Sequence, residues 1–159
     1  MPGLVPGIHV LLFLPKSWMA GTSPAMTEDR PYMIDHVSIG VRDLAAASRF
    51  YEPVLATLGM KRLREWPDAA VGFGREHPEF WINKRSTMAP IADDSGTHIC
   101  LRAREQGMVE AFYAAALAAG GASEGVPGFR KHSSESYYAA FIRDPDGNRI
   151  EAVTFVTKK

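Results

Sequence analysis

From Asp35 the chain alternates with a period of two. Val37, Ile39 and Val41 fall on one face, and His36, Ser38 and Gly40 on the other, which predicts a half-buried strand. From Leu44 the period lengthens. Leu44, Ala47, Tyr51, Val54, Leu55 and Leu58 recur at three- and four-residue spacing, the apolar stripe of a helix. Asp43 is placed to cap that helix and Gly59 to end it. Three short strand-like stretches follow, "MKRLREW", "AAVGFGR" and "EFWINKR". The segment "TMAPIADDSG" (87–96) then reads as a loop.

After that loop the pattern starts again. Laid over "DHVSIGVRDLAAASRFYEPVLATLG", the stretch "THICLRAREQGMVEAFYAAALAAGG" aligns without a gap at a constant offset of 62. His36 pairs with His98, Phe50 and Tyr51 with Phe112 and Tyr113, and Gly59 with Gly121. Such self-similarity marks a duplicated unit. A second helix is predicted over about 105–119, with Val109, Phe112, Tyr113 and Ala116 in its stripe. A weak strand "ASEGV", then "YYAAFIR" and "RIEAVTFV", complete the second copy, and "DPDGN" forms a tight turn between the last two. "GVPGFRKHSSES" (125–136) is expected to be a loop. The fold class is therefore α+β, with two tandem β-α-β-β-β modules over 33–90 and 94–157.

Composition narrows the function classes. Eighteen basic and eighteen acidic side chains balance, so neither nucleic acid nor an anionic membrane surface is an expected partner. Cys100 is the single cysteine, which excludes an internal disulfide and multi-cysteine zinc sites and suits a cytoplasmic location. Residues 1–32 differ from the rest. They hold five of the eleven prolines, and their apolar run from Ile8 to Leu14 is too short to span a bilayer. They are expected to be an unstructured leader, or sequence ahead of a true start at Met26 or Met33.

Each helix must cover the apolar face of its own sheet, so His36 and His98 fall on the far, concave face. The alternation places Glu151 there too, with Cys100 beside His98. Two imidazoles and a carboxylate are a ligand set for iron(II), manganese, zinc or nickel that leaves positions open for substrate. Arg130, Lys131 and His132 precede a strand entering the same face, where they could hold an anionic group or move a proton. One of Tyr137 and Tyr138 must point the same way, which makes His132 and these phenols candidate acid–base groups. Of Phe80 and Trp81, one belongs to the core and the other is a candidate substrate wall.

The stretches "IDHVSIGVRDLAAASRFYEPVLATLG", "GTHICLRA" and "YYAAFIRDPDGNRIEAV" resemble the vicinal oxygen chelate superfamily, the glyoxalase, bleomycin-resistance and extradiol-dioxygenase group. The resemblance implies that the two modules form a curved mixed sheet enclosing a cup. Metal ligands would stand on the first and last strands of each module, at His36, His98 and Glu151. The fourth ligand position departs from the glyoxalase pattern, because Trp81 stands there, with Glu79 two residues away. The resemblance further implies a divalent-metal lyase, isomerase or dioxygenase acting on a small organic substrate, and a homodimer. Two other readings remain: a metal-free binding protein of the antibiotic-sequestering kind, and a module that serves only in assembly.

Overall fold

The structure, a computed structural model, describes residues 33–130 and 133–156. The leader expected over 1–32 and the candidates Lys131 and His132 therefore lie outside the described residues. The first module runs β1 (Val37–Val41), α1 (Leu44–Ala56), β2 (Lys61–Trp66), β3 (Ala70–Gly74) and β4 (Phe80–Lys84). The second repeats that order as β5 (Ile99–Arg102), α2 (Gln106–Ala118), β6 (Ala122–Phe129), β7 (Tyr137–Arg143) and β8 (Arg149–Phe155). The α+β class and the tandem modules are as the repeat predicts.

Local chemistry accounts for the boundaries. The Asp43 carboxylate accepts a 2.9 Å hydrogen bond from the Ala46 N–H, which satisfies one of the open donors of α1. Gly59 has φ +76°, a conformation that side-chain-bearing residues avoid, and it turns the chain out of the helix toward β2. Asp144 closes the "DPDGN" turn by accepting the N–H groups of Asp146 and Asn148 at 2.9 and 2.7 Å.

One expectation fails. The segment expected to be a loop from 125 is strand as far as Phe129, because β6 pairs with β7 across register shifts at Ser123/Gly125 and Gly125/Gly128. Bulges and an outer-edge position let Pro127 sit in a strand despite its missing N–H.

Each module builds its own four-stranded mixed sheet, ordered β1-β4-β3-β2 and β5-β8-β7-β6. The first strand of each is an edge strand running parallel to the last. One apolar core spans both modules. Phe50, Tyr51 and Leu55 of α1 join Phe73, Phe80 and Ile82 below them, and Phe112, Ile142 and Ile150 of the second module. At about 25 cal/mol per Å² of buried apolar surface, these aromatic and branched side chains dominate stability.

The modules meet on their helix sides. α1 packs on α2, and the approach at Gly121 is so close that a Cβ there would lie 2.9 Å from the Phe50 ring. Polar bonds tie the junction at its rim. Buried Tyr51 donates to buried Asp144 at 2.7 Å, the Asn148 amide donates to the Gly40 carbonyl at 3.0 Å, and the Arg75 guanidinium donates to the Arg102 carbonyl at 3.0 Å. The sheet face opposite each helix, called its open face below, is consequently turned away from this common core.

Candidate active-site faces

β5 and β8 position the chemistry of the second module. Ile99 and Leu101 pack toward the core, so His98, Cys100 and Arg102 take the open face. Cys100 pairs in register with Glu151, which lies across from Phe141 of β7 on its other side. The Glu151 side chain is 2% exposed. Burying a carboxylate is costly unless its oxygens find partners, and these do. Tyr137 donates to Oε1 at 2.6 Å, and His98 Nε2 lies 3.1 Å from Oε2. The Cys100 Sγ is 3.9 Å from the Tyr137 hydroxyl.

The electrostatics follow from this crowding. Burial, with the Glu151 carboxylate second, raises the Tyr137 phenol well above its ordinary value, so it remains a neutral donor. Cys100 is exposed as a residue, but its sulfur lies against the sheet. Burial and then Glu151 push its thiol up to about 12.

Two aromatic rings flank the cluster. Phe141 lies 6.2 Å from the His98 ring and carries the Arg130 guanidinium 5.3 Å above it. Phe155 lies 5.2 Å from Tyr137 and carries the Arg102 guanidinium at 4.2 Å.

The open face of the first module has a different character. The His36 imidazole is half exposed and makes a 2.8 Å contact with the neighbouring Asp35 carboxylate. Trp81 lies flat over Gly72, where a Cβ would come within 2.9 Å of its ring, and Trp66 stacks on it at 4.5 Å and 9°. The registers match between modules: Ser38 pairs with Trp81 as Cys100 pairs with Glu151. Trp81 thus occupies the place that Glu151 holds in the other copy. Glu79 offers no slipped substitute, because its carboxylate accepts the Arg75 N–H at 3.1 Å within its own turn.

Of the candidates, the fold brings together His98, Glu151 and Tyr137, with Arg130 one ring away. Tyr138 sits on the opposite face. It donates to Glu110 of α2 at 2.9 Å and packs on Phe129, so it is no acid–base group of this cluster. Phe80 is fully buried against Tyr51, which makes it the core member of its pair and removes it from substrate contact. His36 does not join His98 and Glu151 within one chain, since no three His, Cys, Asp or Glu side chains converge on a metal-sized space among the described residues. Sequence reasoning missed Trp66, Arg102, Phe141 and Phe155. Arg102 shares the parity of His98 and Cys100 along β5, and Phe155 that of Glu151 along β8, which was the signal that could have found them; Trp66 on β2 and Phe141 on β7 are reached only through strand register.

Residues 33–152 match the family described as the Glyoxalase/Bleomycin resistance protein/Dioxygenase superfamily. The chain belongs to that superfamily. A glyoxalase/bleomycin resistance protein from Albidiferax ferrireducens T118 is 32% identical, with a TM-score of 0.66 over 77% of this chain and 98% of that one. A family enzyme from Burkholderia phytofirmans PsJN shares the fold at 18% identity and a TM-score of 0.60, over 77% and 98% of the two chains. A lactoylglutathione lyase from Agrobacterium tumefaciens does so at 21% and 0.55, over 78% and 94%. No curated protein matches the chain. Members of that superfamily generally bind small molecules. No helix among the described residues is long and apolar enough to cross a membrane.

Proposed function

We propose that this superfamily member is a divalent-metal enzyme acting on a small organic substrate, with its metal site shared between two copies of the chain. The carrying observation is the pairing of buried Glu151 with His98. Two donors each about 2.1 Å from one ion and at right angles stand about 3 Å apart, and Nε2 and Oε2 are 3.1 Å apart. These two residues supply part of a ligand set, and the open face of one chain leaves it unfinished. His36 stands at the repeat-equivalent position of an outward-turned sheet, and among the described residues edge strands β1 and β5 have a strand partner on one side each. A homodimer in which His36 of a second copy meets His98 and Glu151 completes the set. A bound ion, whether iron, manganese, zinc or nickel, would supply Lewis-acid stabilisation of substrate oxygens.

The chain's own groups divide the remaining work. Tyr137 orients Glu151, and its hydroxyl is the acid–base candidate of the cluster. Trp81 and Trp66 make an aromatic wall. Arg130 stands beyond Phe141 on the open face that carries His98 and Glu151, and in the dimer the tryptophan wall of the second copy would face it. His132, which the sequence offers as a proton carrier, lies outside the described residues. A single cysteine, with no second one to form a disulfide, suits the cytoplasm. Metal content of protein purified without chelator tests the reading. Stoichiometric metal in the wild type and its loss in His98→Ala are expected, and metal-free wild-type protein would overturn it.

A second reading is favoured by one observation, the stacked Trp66–Trp81 pair at the position where a fourth ligand would stand. It is that of a metal-independent protein that sequesters a planar ligand. Ligand binding that survives chelation would support it.

A further inference from the structure

The guanidinium of Arg130 rests in a seat built for it. Its terminal nitrogens pass over Gly125 and Gly128, where a Cβ would lie 3.0 and 3.6 Å away, and the group lies 5.3 Å above the Phe141 ring. β6 shifts register at both glycines, and the Arg130 side chain lies back along the strand over them. Among the described residues it makes one hydrogen bond, 2.8 Å to the Val126 carbonyl. A guanidinium has five N–H donors, so those residues leave most of its capacity unspent. Arg102 is similar: it is parked at 4.2 Å over Phe155. Neither arginine pairs with a carboxylate among the described residues, which is also true of Arg49, Arg64, Arg75, Arg85 and Arg104; what sets Arg130 and Arg102 apart is that each lies over an aromatic ring of the open face. The one buried carboxylate of this face, Glu151, is engaged by Tyr137 and His98. Among the described residues the face therefore presents two cations, each held on an aromatic ring and without a carboxylate partner, near the proposed metal pair.

We infer that the substrate of this site is a small organic oxyanion whose carboxylate or phosphoryl group is received by Arg130, with Arg102 as the second cation. Phe141 sets the length of that molecule, because it is the common neighbour of the guanidinium and the His98 ring. The substrate spans about one aromatic ring between its anionic end and the end that reaches His98 and Glu151. A planar fork of donors stacked on an aromatic ring suits bidentate recognition of such an anion. This inference rests on the small-molecule reading of the open face, but the arginine seat lies within one module and does not depend on the metal.

Calorimetric titration of the full chain tests it with three probes of one size: 3,4-dihydroxybenzoate, 3,4-dihydroxyphenylphosphonate and the neutral 3,4-dihydroxybenzamide. Each is measured with added zinc and after chelation. The expected result is that at least one of the anions binds about 10- to 100-fold tighter than the amide. That preference should fall to within about twofold in Arg130→Gln and weaken with added salt. The ratio of benzoate to phosphonate affinity separates the two oxyanions. Gly125→Ala keeps the charge but crowds its seat, so it should reduce the preference as well, with circular dichroism confirming that it folds. Equal binding of acid and amide, a preference unchanged in Arg130→Gln, or no binding of any probe would overturn the inference. A preference that persists after chelation, with no zinc effect, would support the arginine seat while counting against the metal reading.

Discussion

The Tyr137 hydroxyl donates a 2.6 Å hydrogen bond to Oε1 of Glu151, a carboxylate that the second sheet buries almost completely. Register makes the bond possible. Tyr137 and Glu151 stand on neighbouring antiparallel strands, four pairs apart on the same face, and the long phenol reaches along β8. Removing the hydroxyl leaves a buried charge with one partner fewer. Tyr137→Phe should lower stability by about 1–3 kcal/mol in urea denaturation at neutral pH. It should also weaken zinc binding about 10- to 100-fold, as loss of an orienting partner does at metal sites. Because the folded state holds the phenolic proton well above 10, the bond's contribution is complete below pH 10 and declines as pH rises further. The stability difference between wild type and variant should therefore be flat from pH 6 to 9.

Cys100 is predicted to be a slow thiol in spite of its exposure. Its value of about 12, set first by burial and then by Glu151, leaves almost no thiolate at pH 8. Labelling with iodoacetamide at pH 8 should be at least about a hundredfold slower than for an ordinary cysteine, since each tenfold loss of thiolate slows the reaction in proportion. Glu151→Gln should accelerate it. Labelling at the rate of a free thiol in the wild type would show that the sulfur is not held against the carboxylate.

Where the modules join, Tyr51 donates to Asp144, and both are buried. Burial raises the Asp144 carboxyl above its ordinary value, even though the Tyr51 and Asn148 bonds act in the other direction. A folded-state value above the unfolded one means that stability contributed by this group is present below about pH 3.8 and is lost as pH rises through the folded value. Tyr51→Phe removes one of the bonds that favour the charged form. The variant should lose about 1–3 kcal/mol at pH 7 and measurably less at pH 4. A thermal melting series across that range reads the difference.

Gly72→Ala tests the tryptophan stack. The added Cβ would stand 2.9 Å from both the Trp81 ring and the Pro78 side chain, so the indole must lift from the sheet. Losing the parallel stack on Trp66 removes about 0.5–1.5 kcal/mol. Tryptophan emission should shift to the red as the rings gain water. An unchanged spectrum with unchanged stability would place the indole elsewhere.

Much of this arrangement is legible in the sequence, and the reasons for the rest are physical. Parity along β1 and β5 assigns His36 and His98 to the faces turned away from the helices, because the other face of each strand is apolar enough to fix its orientation. The same reasoning could not choose between Tyr137 and Tyr138, since Ala139 and Ala140 beside them are equally apolar. Glu110 on α2 decides the matter by accepting the Tyr138 hydroxyl, and that contact is 28 residues distant. The sequence reads the start of β6 as a weak strand, but its second half is hidden by Pro and Gly content, which signals a loop unless a bulged edge strand is considered. The largest gap concerns assembly. A repeat shows that two faces are alike but not whether they meet, and here α1 and α2 pack together so that the faces turn outward.

That outward geometry yields the sharpest prediction. If His36 of one copy meets His98 and Glu151 of another, His36→Ala and Glu151→Ala chains should each purify without metal. Unfolded together and refolded as an equal mixture, half of the dimers would be mixed, and each mixed dimer would carry one site with both lesions and one intact. Metal content should recover to about a quarter of the wild-type sites. A site built within a single chain predicts no recovery, because every chain in the mixture carries a lesion. The wild-type chain refolded alone and returning to full occupancy makes the comparison quantitative, and size-exclusion chromatography shows whether the mixed species is a dimer.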